Sequence, residues 1–292
     1  MKKIIKNLLY KYDKNNEIIY YYNRISFLWK SDIKYYKKAY KKFFKRELNL
    51  NSPQTFNEKI IKRILFEKKE IYSKLADKYL VRNWIKEKIG EEYLIKLYGV
   101  YDSAEQIDID SLPEKFVLKC NHDSGSVIVC DNKKNFNFYL AKKKLSSHLK
   151  RNFYYMTREW HYKNIIPKII CEEKLEDITD YKFHCFNGEP KYLEVVFDRF
   201  DNRKQNVYDM NWKLADFQMG EDQNTDNEIL KPQNFEEMKN IVSILSKDFN
   251  YCRVDLYNDN GNIKFGEITF TPAMGLDTIP YEIDKYLGSL WK

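Results

Sequence analysis

The sequence predicts an α+β protein in which a helical first third is followed by antiparallel strands in two groups. Residues 32–48 place apolar and aromatic side chains at helical spacing, with lysines between them. From about residue 94 the pattern changes to short apolar runs separated by turn sequences. With 292 residues, 43% of them hydrophobic, the chain is long enough for two or three lobes with adequate cores.

Three helices are expected in the first third of the chain. The first covers residues 32–48. The second begins after Thr55, which has Glu58 three positions later in the pattern of a capping box. The third is predicted over residues 72–88. These helices follow one another without the alternating strands of a dinucleotide-binding fold.

The remaining two thirds of the chain contain most of the expected strands. The predicted strands are 116–120, 126–130, 168–173, 181–186, 190–196, 253–257 and 263–270. Asn187-Gly188 between two of them is a strong indication of a tight hairpin. Helices are expected over 139–151 and 235–248, and the polar residues 203–233 are predicted to form an irregular surface loop region.

Residues 253–272 give the strongest local indication of chemistry. Arg253 and Asp255 share a face of one predicted strand, because side chains alternate, and Glu267 lies on the next strand. A turn centred near Asn260 makes the two acids diagonal neighbours, roughly 7 Å apart. Two carboxylates at that distance are suited to share Mg²⁺, with Arg253 beside them to neutralise a phosphoryl group. Two solvent-facing acids on an ordinary hairpin are the alternative interpretation.

Several further segments, taken together with this hairpin, resemble one protein family. They are T-F-N-E-K (55–59), L-A-D-K-Y-L-V-R (75–82), L-P-E-K-F-V-L-K-C-N-H (112–122), E-W-H-Y-K-N-I (159–165), D-Y-K-F-H-C-F-N-G (180–188), R-V-D-L-Y (253–257) and F-G-E-I-T-F-T-P (265–272). Over roughly residues 48–285 the chain resembles the TupA-like branch of the ATP-grasp superfamily, which is associated with teichuronopeptide and capsular polysaccharide clusters. The first 45 residues or so lie outside the resemblance.

The resemblance implies an ATP-grasp fold, in which two α+β lobes clasp ATP, here preceded by a helical N-terminal region. It divides the chain into three expected domains. Residues 1–75 form the basic helical region, residues 76–170 the N-lobe with a phosphate-covering loop, and residues 171–292 the C-lobe with the metal-binding hairpin.

The same resemblance implies a set of ATP-binding residues in the order found in ATP-grasp enzymes. They are Lys78 and Lys119 for the phosphates, Ser124, Gly125 and Ser126 in the loop that covers them, Glu172, Glu173, Lys174 and Leu175 for the adenine, and Asp180 for the ribose hydroxyls. Glycine and small residues in such a loop let backbone N–H groups approach an anion.

The metal ligands implied by the resemblance are Asp255, Glu267 and Thr269, which would hold Mg²⁺. ATP-grasp enzymes commonly have Asn at the third position. Thr269 offers only a neutral hydroxyl there, so it either coordinates the metal weakly or holds the loop.

Three further residues are candidates for catalysis: Arg253, Lys182 and His122. Lys182 shares a strand face with Asp180 and either contacts the triphosphate or acyl group, or forms a structural ion pair. His122 either assists proton transfer or phosphate binding, or stabilises its loop by hydrogen bonds.

The reaction implied by the resemblance has two steps. A substrate carboxylate attacks the γ-phosphate of ATP, and an amine then attacks the acyl phosphate to give an amide, ADP and phosphate. The expected substrates are a small-molecule or glycan carboxylate and an amine, with a uronic-acid-type sugar of capsular or cell-surface polysaccharide synthesis as the acid. ATP and Mg²⁺ are the expected cofactors.

Charge is distributed unevenly along the chain. Residues 1–65 hold 17 Lys and Arg against 5 Asp and Glu, a net charge of +12, and the remainder carries −4. An acidic polysaccharide or the inner membrane surface is one interpretation of this region, and a solvated helical face is the other. Nucleic acid is not an expected partner, because no recognition motif accompanies the charge.

A cytoplasmic protein is predicted, with the inner membrane face as a peripheral location. No stretch approaches about 18 apolar residues, and Lys6, Lys11 and the missing cleavage site argue against a signal peptide. The five cysteines have no CxxC spacing and are expected to be reduced and buried. The four histidines lie far apart, which argues against a zinc site.

Two other functions are open alternatives. A nucleotide-sugar glycosyltransferase of the same pathway would use a D-x-D metal motif, and Asp108-Ile109-Asp110 has that form within a polar run. A non-catalytic polysaccharide-binding protein would use the basic N-terminal region instead.

Overall fold

The computed structural model describes residues 17–27, 29, 31–197, 204–220, 225 and 229–292. They form two compact units, each built from three stretches of chain. The described residues of the first unit lie within 1–38, 69–79 and 96–174, and those of the second within 39–68, 80–95 and 175–292. The division into three consecutive domains stays a prediction.

The first unit contains a four-stranded antiparallel sheet. Its strands lie in the order β1-β4-β2-β3 and are β1 (Leu97–Tyr101), β2 (Phe116–Cys120), β3 (Ile128–Cys130) and β4 (Ile169–Glu173). Its helices are α1 (Glu17–Phe27), α4 (Glu70–Ala76), α6 (Phe138–Leu149) and α7 (Tyr154–Thr157), while α2 (Asp32–Phe44) has residues in both units. The core of the sheet contains Phe116, Leu118, Leu145, Ile169 and Cys171.

The second unit contains a five-stranded antiparallel sheet. Its strands lie in the order β7-β6-β5-β8-β9 and are β5 (Asp180–Phe186), β6 (Glu189–Phe197), β7 (Lys204–Asp209), β8 (Tyr251–Asp259) and β9 (Asn262–Thr269). Its helices are α3 (Phe56–Phe66), α5 (Val81–Lys88), α8 (Phe235–Ser246) and α9 (Tyr281–Leu290).

Local sequence signals account for several boundaries. Thr55 and Glu58 form the expected capping box at the start of α3, so that prediction is confirmed. Asn187 and Gly188 both have positive φ, 52° and 81°, as a two-residue hairpin between β5 and β6 requires. All five cysteines are buried and free of disulfides, as expected.

The helix predicted over residues 72–88 is interrupted, and that prediction is wrong. α4 ends at Ala76 and α5 begins at Val81. The Asp77 side chain accepts a hydrogen bond from the backbone N–H of Tyr79 at 2.8 Å, so a local turn replaces the helical hydrogen bonds there. Lys78 therefore lies in a turn between two helices.

The loop predicted over residues 203–233 contains a strand instead. β7 pairs with β6 along its length, and its Gln205 and Asn206 are buried. The Gln205 side chain donates to the Met219 carbonyl at 2.6 Å, and the Asn206 side chain donates to the Tyr208 hydroxyl at 3.1 Å. The polar composition of β7 gave no indication of a strand. Its polar side chains can be buried because hydrogen bonds satisfy them. Residues 203, 221–224 and 226–228 of the predicted loop lie outside the described residues.

β1 is a strand that the sequence did not predict, and no residue of it is fully buried.

Among the helices that the structure describes, none combines the length and the apolar character needed to span a membrane.

Candidate active site

The hairpin of β8 and β9 places Asp255 directly opposite Glu267. The predicted diagonal pairing is wrong, because the register shifts between Asp255 and Leu256 and leaves Gly266 as an extra residue. A Cβ at Gly266 would lie 3.1 Å from the Asp255 carbonyl oxygen, so a glycine suits this bulge. The bulge makes the two acids nearest cross-strand neighbours, with Cβ atoms about 5 Å apart in such a pair.

One face of the second sheet carries a continuous set of charged and polar side chains, which we call the charged face. Its members are Asp180, Lys182 and His184 of β5, Glu194 of β6, Arg253 and Asp255 of β8, and Glu267 and Thr269 of β9. Cross-strand partners point to the same side of a sheet, so the register alone brings these side chains together.

The other face of the same sheet is apolar and is covered by α8. This helix packs against β5, β6 and β8, and its Phe235 ring stacks on Phe183 at 6.1 Å. Met238 and Val242 of the helix and Leu193 of β6 are fully buried. The sheet therefore has a packed side that fixes the strands and a polar side that presents the charges.

Asp255 and Arg253 form the centre of the charged face. Arg253 Nε donates to Asp255 Oδ1 at 2.7 Å, and Nη2 donates to Asp255 Oδ2 at 2.7 Å. The same Nη2 lies 3.0 Å from Glu267 Oε1 and 3.4 Å from Thr269 Oγ1. One guanidinium thus contacts all three residues predicted to hold metal.

Lys182 joins Asp180 to this centre. Its Nζ lies 2.6 Å from Asp180 Oδ2 and 2.5 Å from Asp255 Oδ2. The structure therefore brings Asp180, Lys182, Arg253 and Asp255 into one network, and Lys182 forms the ion pair that was one of its two alternatives.

Burial and charge act in opposite directions on Asp255. Burial alone would raise its pKa, but Arg253 and Lys182 outweigh burial and hold the pKa well below its usual range. Burial would lower the pKa of Lys182, and Asp255 raises it above its ordinary value instead. Asp255 is therefore a carboxylate, and Lys182 an ammonium, at neutral pH.

Asp255 and Glu267 are the residues of the charged face that could hold a magnesium ion. Asp255 and Glu267 offer hard carboxylate oxygens on neighbouring strands, and they already share the cationic Arg253. Thr269 Oγ1 donates to Glu267 Oε1 at 3.3 Å, which matches a residue that orients a ligand. Among the residues that the structure describes, no three His, Cys, Asp or Glu cluster as a metal centre.

His184 and Glu194 are members of the charged face that the sequence did not single out. His184 Nε2 lies 2.5 Å from Glu194 Oε1, and His184 Nδ1 lies 3.0 Å from the Tyr251 hydroxyl. Burial would raise the pKa of Glu194, but its bond to His184 lowers it below the ordinary value. Two signals in the sequence could have found them. Strand alternation puts His184 on the same face as Lys182. The register set by the Asn187-Gly188 turn puts Glu194 opposite Lys182.

In the first unit, Lys119 and Glu172 form an ion pair across β2 and β4. Lys119 Nζ lies 2.6 Å from Glu172 Oε2, and both side chains are largely buried. The family resemblance implied that Lys119 binds phosphate and that Glu172 binds adenine. It did not predict a contact between the two side chains. Of the adjacent adenine candidates, Lys174 Nζ pairs with Asp131 at 2.8 Å, and Glu173 donates its N–H to the Lys96 carbonyl at 2.9 Å. Leu175 is buried at the start of the second unit's last stretch.

Lys78 is held against the loop predicted to cover the phosphates. Its Nζ donates to the Asp123 carbonyl at 2.6 Å, and its N–H donates to the Asn121 carbonyl at 3.1 Å. The Asn121 side chain donates to Asp77 Oδ1 at 2.9 Å. The structure thus joins two segments that lie more than 40 residues apart in the sequence.

The loop itself is partly buried. Ser126 donates its hydroxyl to Asp123 Oδ1 at 2.6 Å, and His148 contacts the other carboxylate oxygen of Asp123. Ser124 and Gly125 are exposed, with Gly125 at φ 92°. The tip of the loop is therefore its exposed part, on a base fixed by hydrogen bonds.

His122 lies in this buried base. Its ring is 1% exposed, with Nε2 3.0 Å from the Arg151 carbonyl and Nδ1 3.3 Å from Asn121 Oδ1. Burial lowers its pKa below the ordinary value. Both ring nitrogens face protein oxygens, which favours the loop-stabilising interpretation over proton transfer.

The D-x-D motif forms a local turn at the surface. Asp108 and Asp110 are exposed, and Asp108 Oδ1 accepts the Asp110 N–H at 3.1 Å. The structure brings no further acid to them among its described residues.

Comparison with known proteins places these features in a family. The sequence model of the TupA-like ATPgrasp family matches residues 58–292. No curated protein matches the sequence.

Several solved structures are similar at low identity. D-alanine–D-alanine ligase from Bacillus anthracis complexed with ATP is 13% identical over 75% of this chain and 63% of that one, with a TM-score of 0.43. N5-carboxyaminoimidazole synthetase from Staphylococcus aureus complexed with ADP is 14% identical over 69% of this chain and 45% of that one, with a TM-score of 0.41. This chain spans less than two thirds of either protein. The family match extends over most of the chain and includes the charged face and its hairpin, and the chain therefore belongs to the TupA-like ATP-grasp family.

Proposed function

We propose that this protein is an ATP-dependent ligase that joins a carboxylate to an amine through an acyl phosphate. The observation that carries the proposal is the buried Asp255, which holds Arg253 and Lys182 on the charged face of an ATP-grasp family chain. Phosphoryl transfer to a carboxylate depends on positioning and charge neutralisation and needs no side-chain nucleophile.

The second unit supplies the groups for the reacting phosphate. Arg253 and Lys182 provide fixed positive charge for the phosphoryl group as it passes from ATP to the substrate carboxylate. Asp255 and Glu267 would hold magnesium, with Thr269 orienting Glu267. A bound Mg²⁺ would neutralise phosphate oxygens and align the nucleotide.

The first unit supplies further nucleotide contacts. Lys78 and Lys119 bind the phosphates, and Ser124 to Ser126 present backbone N–H groups above them. The residues from Glu172 to Leu175 contact the adenine, and Asp180 of the second unit holds the ribose. We assign His122 to holding the loop base, because its ring nitrogens already face protein oxygens.

The acid that the protein activates is proposed to belong to a uronic-acid-type sugar of capsular or cell-surface polysaccharide synthesis. Support comes from the TupA-like family and from the positive charge of residues 1–65. The enzyme would then act in the cytoplasm, at or near the inner membrane face.

An acidic glycan is the partner proposed for the basic region. Lys37, Lys38, Lys41 and Lys42 on α2 are exposed. Tyr20 and Tyr36 pack inward, and the Tyr36 hydroxyl donates to the Thr157 carbonyl at 2.8 Å, while Tyr21 and Tyr22 are about half exposed. Residues 1–16, which carry part of the charge, lie outside the described residues.

Replacing Lys37, Lys38, Lys41 and Lys42 with Gln should weaken binding of a polymeric acidic glycan and leave turnover of a small uronic acid unchanged. Charge attraction at an exposed face is screened beyond about 8 Å at physiological salt, so glycan affinity of the unaltered protein should also fall steeply with added salt. Affinity for polyglucuronate at several salt concentrations, by calorimetry, measures both effects. If glycan affinity depends neither on salt nor on the four substitutions, the basic region is only a solvated helical face.

The ligase proposal is tested by ADP release in a matrix of uronic acids and amino acids against small amines. Release that requires both an acid and an amine is the expected result. ADP release with amino acids but with no uronic acid would contradict the proposed sugar substrate and leave the ligase proposal standing. If no combination stimulates release, the ligase proposal itself is wrong.

A further inference from the structure

The row of cross-strand partners that contains Arg253 continues beyond the charged face. Arg253 of β8 lies opposite His184 of β5, which in turn lies opposite Tyr192 of β6. Tyr192 lies opposite Asp209 of β7. Because cross-strand partners point to the same side of a sheet, Tyr192 and Asp209 share the side of the charged face and lie on the side away from α8. The ligase reaction as described above uses neither residue.

Tyr192 lies close to the cations proposed for the reacting phosphate. Lys182 is two residues before His184 on β5, so it is a diagonal neighbour of Tyr192, with Cβ atoms roughly 7 Å apart. Arg253 is two strands away from Tyr192, which corresponds to roughly 10 Å. An acid whose carboxylate lies at Lys182 and Arg253 therefore has the rest of its body within reach of the Tyr192 ring.

Tyr192 belongs to a group of three aromatic side chains, Tyr192, Phe217 and Tyr286, which we call the aromatic platform. The Tyr192 ring meets the Phe217 ring at a centroid distance of 5.1 Å and an interplanar angle of 74°. It meets the Tyr286 ring of α9 at 6.4 Å, and the Tyr192 hydroxyl donates to the Tyr286 hydroxyl at 3.4 Å. Phe217 is buried, Tyr192 is half-buried and Tyr286 is 46% exposed. The platform is therefore supported from within and open to solvent at Tyr286.

Asp209 lies at the outer end of the row with its carboxylate held in one orientation. Its Oδ1 accepts the N–H of Asn211 at 2.8 Å and the N–H of Lys213 at 2.9 Å. A carboxylate accepts hydrogen bonds from hydroxyl groups and repels a second carboxylate. The row thus runs from a cation, Arg253, past an aromatic ring to an anion.

A sugar acid matches this order of groups. A hexuronic acid has a single carboxylate at one end, a ring with apolar C–H faces, and hydroxyl groups around the remainder of the ring. Apolar C–H faces pack on tyrosine rings, whose hydroxyls remain available for hydrogen bonds. We propose that the aromatic platform and Asp209 bind the sugar ring of the acid substrate and so direct its carboxylate to Lys182 and Arg253. This inference rests on the proposed ligase function and names the residues that select its sugar acid.

Replacing the tyrosines with leucine tests the assignment. Tyr192→Leu and Tyr286→Leu should each raise the KM for D-glucuronate in ADP release about three- to tenfold, since each removes one aromatic contact. Tyr192→Phe keeps the ring and should restore the KM to within about twofold of that of the unaltered protein. The KM for ATP should not follow the KM for glucuronate, because neither tyrosine is among the proposed nucleotide contacts.

Tyr281→Leu is the matched control. Tyr281 lies on the same helix as Tyr286 and is also 46% exposed, but its ring lies against Arg46 at 3.9 Å. This variant should leave the KM for glucuronate unchanged. Melting temperatures separate binding from folding. If the platform only holds α9 to the sheet, Tyr192→Leu and Tyr286→Leu should lower the melting temperature and raise the KM for ATP and for glucuronate alike, which would contradict the assignment.

The outcomes distinguish this inference from the proposed function. A KM for glucuronate that is unchanged in both leucine variants, or that rises equally in Tyr281→Leu, would overturn the role of the platform and leave the ligase function standing. ADP release with amino acids but with no uronic acid would do the same.

If no acid stimulates ADP release, the ligase proposal fails, and calorimetric titration with D-glucuronate then decides the role of the platform separately. Binding of D-glucuronate that Tyr192→Leu weakens and Tyr281→Leu does not would support the sugar site. Absence of binding to the unaltered protein would contradict it.

Discussion

Asp255→Asn is expected to abolish ADP formation and also to destabilise the second unit. The side chain is 1% exposed and pairs with both Arg253 and Lys182, so its neutral replacement leaves two buried cations without their shared acid. Breaking a buried pair in this way costs roughly 3–5 kcal/mol. Urea unfolding and coupled ADP release measure the two effects separately.

Glu267→Gln is the matched control for the stability effect. Its carboxylate also contacts Arg253, but the side chain is 44% exposed. This variant should lose about a hundredfold in ADP formation, as removal of one charge-stabilising group typically does, with little change in unfolding free energy. Near-normal turnover of either variant at ordinary Mg²⁺ concentrations would contradict the metal assignment.

Lys119→Met is expected to raise the dissociation constant for ATP by about 10- to 100-fold, the loss of one charge-assisted contact worth roughly 1.5–3 kcal/mol. It should also destabilise the first unit, because Glu172 is 5% exposed and loses its Lys119 partner at 2.6 Å. Calorimetric titration with ATP measures the affinity directly.

A double substitution separates binding from stability at this pair. Lys119→Met combined with Glu172→Gln removes the uncompensated charge, so the unfolding free energy should recover toward that of the unaltered protein. ATP affinity should stay low. An unchanged affinity in the single and double variants would mean that Lys119 does not contact the phosphates.

Short-range patterns were sufficient to predict much of the fold. The capping box at Thr55 and Glu58 and the turn at Asn187 and Gly188 depend on neighbouring residues, and both are present in the structure. The grouping of Arg253 with Asp255 followed from strand alternation alone.

Features that depend on distant contacts were not predictable in this way. The bulge at Gly266 places Glu267 opposite Asp255, yet a glycine in a strand is equally compatible with regular pairing. The turn at Asp77 is closed locally by the Tyr79 N–H, and it is also held by Asn121, 44 residues away, which donates to the same carboxylate. The polar strand β7 depends on partners for its buried Gln205 and Asn206.

Transfer of oxygen-18 from the substrate carboxylate to phosphate tests the acyl phosphate most directly. The acid that gives the highest ADP release is labelled in its carboxylate, and the released phosphate is analysed by mass spectrometry. Attack of the carboxylate on the γ-phosphate requires one labelled oxygen to leave with phosphate for each amide formed. Unlabelled phosphate, or release of AMP and pyrophosphate in place of ADP, would contradict the proposed reaction.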